Sequence, residues 1–245
     1  MIPCLAIPIY NHGATIESVI ESLGHLGLPC IIVNDGSDAE TRSRIFALEK
    51  KFSWVNLIHH PVNRGKGAAL RTAYQAASDR GFSHVVQVDA DGQHDTSDIP
   101  RFLECAQMNP DALILGTPIF DDSVPWHRLH GRKLSQFVVW METLSTQVAD
   151  PLCGFRCIPL NLAIQILGRH RMGDRMDFDP ELIIRMVRAG VSVVNIPTCV
   201  RYPESGISHF RMGKDNLLIA LAYLRLAVEP LTAVFGRTRS TEGPS

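Results

Sequence analysis

Two aspartates directly after an apolar run are the residues of this sequence best suited to chemistry. Asp89 and Asp91 stand in Asp89-Ala90-Asp91-Gly92-Gln93-His94, which follows the strand-like run 85–88. Residues i and i+2 of a strand share a face, so the two carboxylates would lie side by side, and Gly92 allows a sharp turn. Such oxygen ligands suit Mg²⁺ or Mn²⁺ with open positions for phosphate oxygens. A solvated acidic turn is the alternative for an isolated motif of this kind.

Three further polar loops follow strand-like runs, at residues 8–11, 34–38 and 63–67. In an open α/β sheet, the loops after the carboxyl ends of the strands line one crevice. Each loop alone is a weak signal: an Asx-Gly-Ser sequence is mostly turn chemistry, and Gly65-Lys66-Gly67 lacks the upstream glycine of a Walker loop. Together they predict a phosphate-binding or nucleotide-binding edge.

Strand-like and helical patterns alternate through the first half of the chain, which predicts a parallel sheet with crossover helices. The spacing of Ser37 and Glu40 predicts a capping box. The second half predicts two helices and one strand that ends at Pro197. The predicted strands cover 5–9, 30–33, 54–58, 84–88, 112–116 and 191–196, and the helices cover 16–23, 37–52, 66–78, 96–106, 134–147 and 180–188.

The composition of the 245 residues is that of a globular protein. A formal net charge of −1 argues against a nucleic-acid partner, and no signal peptide is expected at the N-terminus. The six cysteines are expected to be reduced thiols, without zinc-finger spacing. Residues 217–235 are apolar but interrupted by Arg225 and Glu229, which predicts a helix that packs on the domain or lies at a membrane interface rather than spanning it.

The four loops resemble those of the family-2 glycosyltransferases. The motifs are P-x-Y-N, V-N-D-G-S-x-D, N-x-G-K-G-x-A and D-A-D-G-Q-H, in this order, and the resemblance covers about residues 3 to 210. The most similar branch is that of the dolichyl- and polyprenyl-phosphate sugar transferases. The resemblance implies a GT-A type α/β fold, in which helices flank a mostly parallel nucleotide-binding sheet. It also implies a nucleotide-diphosphate sugar donor and a Mg²⁺ or Mn²⁺ cofactor.

The resemblance implies roles for residues of the donor-binding half. Asp35 would bond the base of the nucleotide, while Lys66 would approach the nucleotide or its diphosphate. An exposed lysine at a helix start is the alternative for Lys66. His94 is either a neighbour of the metal ligands or an ordinary loop histidine. The residues implied to bind the nucleotide sugar are Pro8, Tyr10, Asn11, Glu17, Asp35, Lys66 and Asp89, and those implied to hold the metal are Asp89, Asp91 and Gln93.

The second half carries shorter matches to the same branch. Arg132 and Ser135 resemble a segment that grips an acceptor phosphate, and Arg156 ends a D-x-x-x-G-F-R segment. Arg201, Gly206 and Ser208 resemble an R-x-x-G-x-S segment, although Arg201 is one residue too far and His209 replaces a lysine. The residues implied to bind the acceptor are Arg132, Ser135, Arg156 and Ser208. The residues expected to act in catalysis are Asp91, Asp179 and Arg201.

The nature of the acceptor decides whether a general base is needed. A phosphomonoester oxygen is already anionic, whereas a hydroxyl needs a carboxylate to take its proton. Asp177, Asp179 and Glu181 are the candidates for that carboxylate. Asp179 before Pro180 is also a typical helix N-cap, and Glu181 suits the first turn of a helix.

The expected protein is therefore a metal-dependent, inverting glycosyltransferase with a lipid-linked or amphipathic acceptor, polyprenyl phosphate among them. It would be cytoplasmic, peripheral on the cytoplasmic face of a membrane. A haloacid-dehalogenase-like phosphatase and a non-catalytic nucleotide-sugar-binding module are the alternatives. The expected organisation is one domain over residues 1–236, with a donor half over about 1–118, an acceptor half over about 119–236, and a flexible tail over 237–245.

Overall fold

The computed structural model describes residues 1–119, 126–200 and 211–229. Within these ranges, seven strands form one sheet in the order β3-β2-β1-β4-β6-β5-β7. The strands are β1 Pro3–Ile9, β2 Cys30–Asp35, β3 Val55–His60, β4 His84–Gln87, β5 Leu113–Ile119, β6 Arg156–Pro159 and β7 Val193–Cys199. All neighbouring strands pair in parallel except β6, which runs antiparallel to both β4 and β5. The expected mostly parallel α/β sheet is confirmed.

Helices cover both faces of this sheet, because the strands are apolar on both sides. Leu5 and Ile7 of β1 pack on one face with α1, α2 and α4, whereas Cys4 and Ala6 pack on the other with α3 and α5 to α8. The helices are α1 Gly13–Leu23, α2 Ala39–Lys51, α3 Lys66–Asp79, α4 Ile99–Met108, α5 Trp126–Thr143, α6 Leu160–Arg169, α7 Phe178–Arg188 and α8 Met212–Val228. No helix in the described ranges is long and apolar enough to cross a bilayer.

Several element predictions need correction. The N-cap of α2 is Asp38, whose carboxylate accepts a hydrogen bond from Thr41 N at 2.8 Å, and not Ser37. The Ser37 hydroxyl accepts a hydrogen bond from Asn11 N at 3.0 Å instead, which joins the first two strand-end loops. The last strand continues through Pro197 to Cys199. The sequence patterns did not predict β6 and α6.

Candidate functional site

The carboxyl ends of β1 and β2 and the loops after β3 and β4 open into a cavity of about 960 Å³. The beginning of α7 and the helices α5 and α8 form its other walls. Residues from all four predicted loops reach this cavity, as the topology of an open α/β sheet requires. The predicted site residues that line the cavity are Pro8, Tyr10, Asp35, Lys66, Asp89, Asp91, Gln93, Arg132, Ser135 and Asp179.

The acidic pair belongs to a turn rather than to a strand. Strand β4 ends at Gln87, and the chain turns at Ala90 and Asp91 before Gly92, whose φ is +72°. The argument from strand alternation was therefore wrong, although the two carboxylates are neighbours. Burial raises the pKa of Asp91, and the negative charge of Asp89 raises it further. Such repulsion between two carboxylates is what a bound cation relieves.

Lys66 bridges two acidic side chains at the floor of the cavity. Its Nζ lies 2.7 Å from Asp89 Oδ1 and 3.2 Å from Asp179 Oδ2. Burial alone would lower the pKa of Lys66, but Asp179 and Asp89 outweigh that effect and hold the pKa above its usual range. Likewise, burial opposes ionisation of Asp89, yet Lys66 and His94 hold its pKa well below the usual range. Lys66 and Asp89 therefore both remain charged near neutral pH.

Glycines allow this close arrangement. Gly65 adopts φ +108° at the N-cap of α3, and a side chain at Gly65 would overlap the backbone of Asp174. A Cβ at Gly67 would lie 2.5 Å from Cβ of Phe178 in α7. The beginning of α3 can thus press against the entry to α7. That contact carries Lys66 to within reach of Asp179.

The segment D-x-x-x-G-F-R supports Asp89 from the neighbouring strand. A side chain at Gly154 would overlap the Asp89 carboxylate. Phe155 stacks on the His94 ring at 5.1 Å between centroids, and His94 Nε2 lies 3.5 Å from Asp89 Oδ2. His94 is therefore a neighbour of the acidic pair and not an ordinary loop histidine.

Asp35 holds the loop before α3. Its carboxylate accepts hydrogen bonds from Arg64 N at 2.9 Å and Gly65 N at 2.7 Å, and His60 Nδ1 lies 2.7 Å from Oδ1. A carboxylate offers about four lone-pair positions, so three partners leave room for one more donor. Asp35 still lines the cavity, so its position is compatible with the predicted contact to a base.

The beginning of α7 points Asp179 into the site. The N-cap is Asp177, so Asp179 lies within the first turn and the alternative of Asp179 as N-cap is wrong. Glu181 is fully buried; it binds Arg185 at 2.9 Å and also contacts Arg225. Of the three acidic residues considered as a base, Asp179 alone lines the cavity within the described residues.

Three predicted site residues lie away from the cavity lining. Glu17 faces outward on α1 and pairs with Lys51 at 3.0 Å, because the apolar residues of α1 take the inner face. Asn11 adopts φ +54°, and its Oδ1 accepts a hydrogen bond from Asp38 N at 2.8 Å. Arg156 is fully buried and donates from Nε to Cys153 O at 3.2 Å, so it cannot contact an acceptor here.

The two acceptor candidates of α5 already have protein partners. Arg132 Nη1 lies 2.5 Å from Asp150 Oδ2, and the Ser135 hydroxyl contacts the Tyr223 hydroxyl of α8. Both residues line the cavity. Arg201, Gly206, Ser208 and His209 lie outside the described residues, as does the tail 237–245.

Polar residues that the sequence patterns did not single out also belong to this site. Arg211 and Lys214, at the beginning of α8, line the cavity. Tyr74 and Gln87 lie beneath Asp179, and both are fully buried. The sequence alone could have singled out Gln87, because it is the one polar side chain in the apolar run 85–88.

The residues at the acidic pair fit a divalent cation that shares its coordination with a ligand. Asp89 Oδ1 is buried and contacts the Lys66 ammonium at 2.7 Å, while the repulsion between Asp89 and Asp91 is not relieved. Asp91 and Gln93 add oxygens at the same edge of the cavity. Over residues 1–119, 126–200 and 211–229, no group of three or more His, Cys, Asp or Glu could hold a metal ion by itself. The remaining positions would therefore go to diphosphate oxygens or water.

Known proteins share both this fold and this sequence pattern. The glucosyl-3-phosphoglycerate synthase of Mycobacterium tuberculosis, solved with Mn²⁺ and UDP-glucose, matches with a TM-score of 0.69 and 17% identity over 93% of this chain and 79% of that one. The fold is thus that of the GT-A glycosyltransferases. Residues 4–159 match the model of Glycosyl transferase family 2, and the chain belongs to that family. The protein is a glycosyltransferase, and the phosphatase alternative is wrong.

Two relatives come from the branch that the motifs indicated. A dolichyl-phosphate beta-glucosyltransferase of Trichomonas vaginalis is 28% identical over 91% of this chain and 72% of its own length. A polyprenol monophosphomannose synthase of Mycolicibacterium smegmatis is 25% identical over 88% of this chain and 82% of its own length. The resemblance to the polyprenyl-phosphate sugar transferases is confirmed.

Proposed function

We propose that this glycosyltransferase uses a divalent cation to move a sugar from a nucleotide-diphosphate sugar to a lipid-linked or amphipathic acceptor, with polyprenyl phosphate as the first candidate. The observation that carries the proposal is the cluster of Asp89, Asp91 and Lys66 at the floor of a cavity of about 960 Å³. The names of the two relatives support the choice of acceptor.

Each wall of the cavity has a role in this proposal. Of the residues that line the cavity, Pro8, Tyr10 and Asp35 would bind the nucleotide, while Arg132 and Ser135 would bind the acceptor. Asp89, Asp91 and Gln93 would hold Mg²⁺ or Mn²⁺, which would neutralise charge on the departing diphosphate. In this proposal a donor half, about 1–118, and an acceptor half, about 119–236, share the cavity.

The reaction would be a single displacement at the anomeric carbon. A new bond forms from the acceptor oxygen to that carbon, the bond to the diphosphate oxygen breaks, and the configuration inverts. An acceptor phosphate needs no base, because its oxygen is already anionic. Asp179 would then hold Lys66 in place at 3.2 Å. With a hydroxyl acceptor, Asp179 would take the proton.

The experiment is a thermal-shift and turnover panel with UDP, GDP and their sugars, each with Mn²⁺ and with Mg²⁺. A ligand at 100 times its Kd stabilises the folded state by about 2.7 kcal/mol. Release of nucleoside diphosphate that depends on polyprenyl phosphate identifies donor and acceptor together. Binding without turnover for every acceptor tried would favour the non-catalytic module.

The variant Asp91→Ala separates the role of the metal site from stability. Turnover should fall by about 10³-fold, because a bound cation contributes several kcal/mol to the transition state. The melting temperature should stay level or rise, since Asp91 and Asp89 repel each other. Asp111→Ala, in an exposed loop, is the matched control and should retain full turnover. Full turnover in Asp91→Ala would refute the assignment of the metal site.

The mouth of the cavity continues into an exposed apolar surface, which we call the α5–α8 surface. Its members recur at helical spacing on two helices that pack together. They are Leu134, Phe137 and Met141 of α5 with Leu217, Leu221, Leu224 and Val228 of α8, all between 51% and 81% exposed. Lys133 and Lys214 are exposed beside it. We propose that this surface lies on an anionic bilayer, so that the protein is peripheral on the cytoplasmic face.

A flotation experiment tests the membrane proposal. The protein should float with vesicles that contain anionic lipid and should be released by high salt, because basic side chains add about 1 kcal/mol each at such a surface. Leu217→Glu with Leu221→Glu should abolish flotation, whereas Val62→Glu with Met108→Glu, exposed apolar residues elsewhere, should not. Equal flotation of both double variants would contradict the assignment of the surface.

A further inference from the structure

A chain of buried polar groups lies beneath Asp179. The Tyr74 hydroxyl donates to Gln87 Oε1 at 2.5 Å, and Gln87 Nε2 donates to Asp179 Oδ1 at 3.4 Å. Arg156 Nη1 lies 3.4 Å from the same oxygen. Tyr74, Gln87 and Arg156 are all fully buried. None of these three residues is among those lining the cavity, so they act on a substrate only through Asp179.

The sheet brings this chain together at its antiparallel step. Gln87 of β4 and Arg156 of β6 are direct partners in the register of the two strands. Tyr74 comes from the inner face of α3, the same helix that begins at Lys66. Three separate elements thus deliver polar side chains to one point in an otherwise apolar layer. Burying such groups costs free energy unless each one is hydrogen-bonded.

The direction of the hydrogen bonds defines what the chain does. Tyr74 donates to Gln87, so the amide nitrogen of Gln87 is left to donate to Asp179. Arg156 is fixed in turn by Cys153 O, which its Nε reaches at 3.2 Å. Gln87 donates to Oδ1, and the Arg156 guanidinium pairs with the same oxygen and donates to the Asp179 backbone oxygen, while Oδ2 remains directed at Lys66, 3.2 Å away. A single orientation of the Asp179 carboxylate results.

We infer that Tyr74 and Gln87 are positioning residues that, with Arg156, fix the Asp179 carboxylate from below for sugar transfer, an inference that rests on the proposed function. Asp179 then presents one oxygen to the cavity and keeps Lys66 over the acidic pair. Without this support the carboxylate turns, and Lys66 loses one of its two anchors. Donor binding is left largely intact, because it depends on Asp89 and Asp91, and Asp89 still holds Lys66 at 2.7 Å.

The experiment compares Tyr74→Phe and Gln87→Met with a matched control, Thr198→Val. Thr198 is 1% exposed, its hydroxyl donates to Asp98 Oδ2 at 2.7 Å, and it is not among the residues lining the cavity. Each of the three variants removes the hydrogen-bonding group of one buried side chain and keeps the volume of that side chain nearly constant. Arg156 is not used, since its removal would leave Asp179 without its buried cation and would endanger folding. The readouts are melting temperature, Kd for the nucleotide with Mn²⁺, and kcat with KM for the donor.

The expected result is a split between kcat and binding. In Tyr74→Phe and Gln87→Met, kcat falls by about 10- to 100-fold while Kd and KM change by less than about twofold, because misplacement by about 1 Å has effects of that size. Thr198→Val keeps its kcat even if its melting temperature falls. The inference is overturned if Tyr74→Phe and Gln87→Met retain kcat, or if all three variants lose kcat in proportion to stability.

A crystal structure of Gln87→Met makes the test independent of the proposed function. If the wild-type protein transfers no sugar at all, the proposed function fails. The orientation of the Asp179 carboxylate in the crystal still tests whether Gln87 holds it in place. A rotated Asp179 carboxylate that no longer contacts Lys66 upholds the positioning role. An unchanged carboxylate overturns it. If Gln87→Met does not fold, Tyr74→Phe is used in its place, since it removes only one hydroxyl.

Discussion

The Asp89 carboxylate occupies space that any side chain at residue 154 would need. A Cβ built on Gly154 would overlap that carboxylate, and Asp89 would have to move. Gly154→Ala should therefore weaken binding of nucleotide with Mn²⁺ by at least about tenfold, which is a loss of about 1.4 kcal/mol. The measurement is the shift in melting temperature that the ligand produces.

Gly168→Ala is the matched substitution for that measurement. Gly168 lies in α6 with nothing within 4 Å of an added Cβ, so alanine should stabilise the helix by about 0.5–1 kcal/mol. Nucleotide binding should not change in this variant. Equal nucleotide binding by Gly154→Ala and Gly168→Ala would show that Asp89 tolerates displacement.

The sequence was sufficient to place the strand-end motifs but not to orient every side chain within them. Asp89, Asp91 and Lys66 meet because parallel strands end at one edge. Glu17 and Asn11 come after a strand that ends at the same edge, yet neither lines the cavity. Glu17 pairs with Lys51, and Asn11 accepts a hydrogen bond from Asp38 N. The apolar face of α1, which includes Ile16 and Ile20, already indicated that Glu17 faces outward.

At the level of elements, a buried ion cluster joins α7 to α8. Glu181 has no exposed side-chain surface; it binds Arg185 at 2.9 Å and accepts from Gly173 N at 3.1 Å. Glu181→Ala should cost about 3 kcal/mol, because the buried Arg185 loses one of its two carboxylate partners and keeps Glu229 and the His170 ring. The melting temperature should fall by about 6–12 °C in a protein of this size.

Glu40→Ala is the comparison for this loss. Glu40 pairs with Arg44 at 2.9 Å, but its side chain is 76% exposed. Water screens such a pair, so its removal should cost less than about 1 kcal/mol. If chemical denaturation gave both variants the same free energy of unfolding, the ion cluster around Glu181 would not be what holds α8 against α7.

The elements that sequence patterns missed have physical reasons for being missed. Strand β6 has four residues and begins with a charged Arg156, which no alternation rule favours. Its neighbours β4 and β5 come much earlier in the chain, so its antiparallel pairing is a tertiary event. Pro197 suggested the end of a strand, yet β7 continues because it lies at the end of the sheet. There a missing N–H costs little.

At the scale of the whole molecule, burial sorts the six cysteines by reactivity. Cys199 is exposed and Cys105 is partly exposed, whereas the other four are buried. Burial raises the pKa of the Cys153 and Cys157 thiols to about 12, which suppresses the reactive thiolate. A thiol reagent should therefore modify Cys199 first and Cys105 more slowly, with all six reacting after unfolding.

The control for this thiol modification is Cys199→Ser, in which only the fastest phase of the reaction should disappear. The free thiols expected from the composition are present, since all six cysteines are unpaired. Rapid reaction of more than two thiols in the native protein would mean that the packing on the two faces of the sheet opens readily.

The position of β6 in the sheet determines where this enzyme can be joined to a relative in a chimera. It lies between β4 and β5, so its hydrogen bonds connect strands β1 to β4 with strands β5 and β7. A chimera cut at about residue 118 would pair β4 and β5 with a β6 from the other enzyme, and a poor fit there would leave an unpaired sheet edge. A crossover after Pro159 would carry Arg156 and the whole of β6 with the donor half. Hybrids joined at that second boundary should therefore fold, whereas those joined at the first should be insoluble.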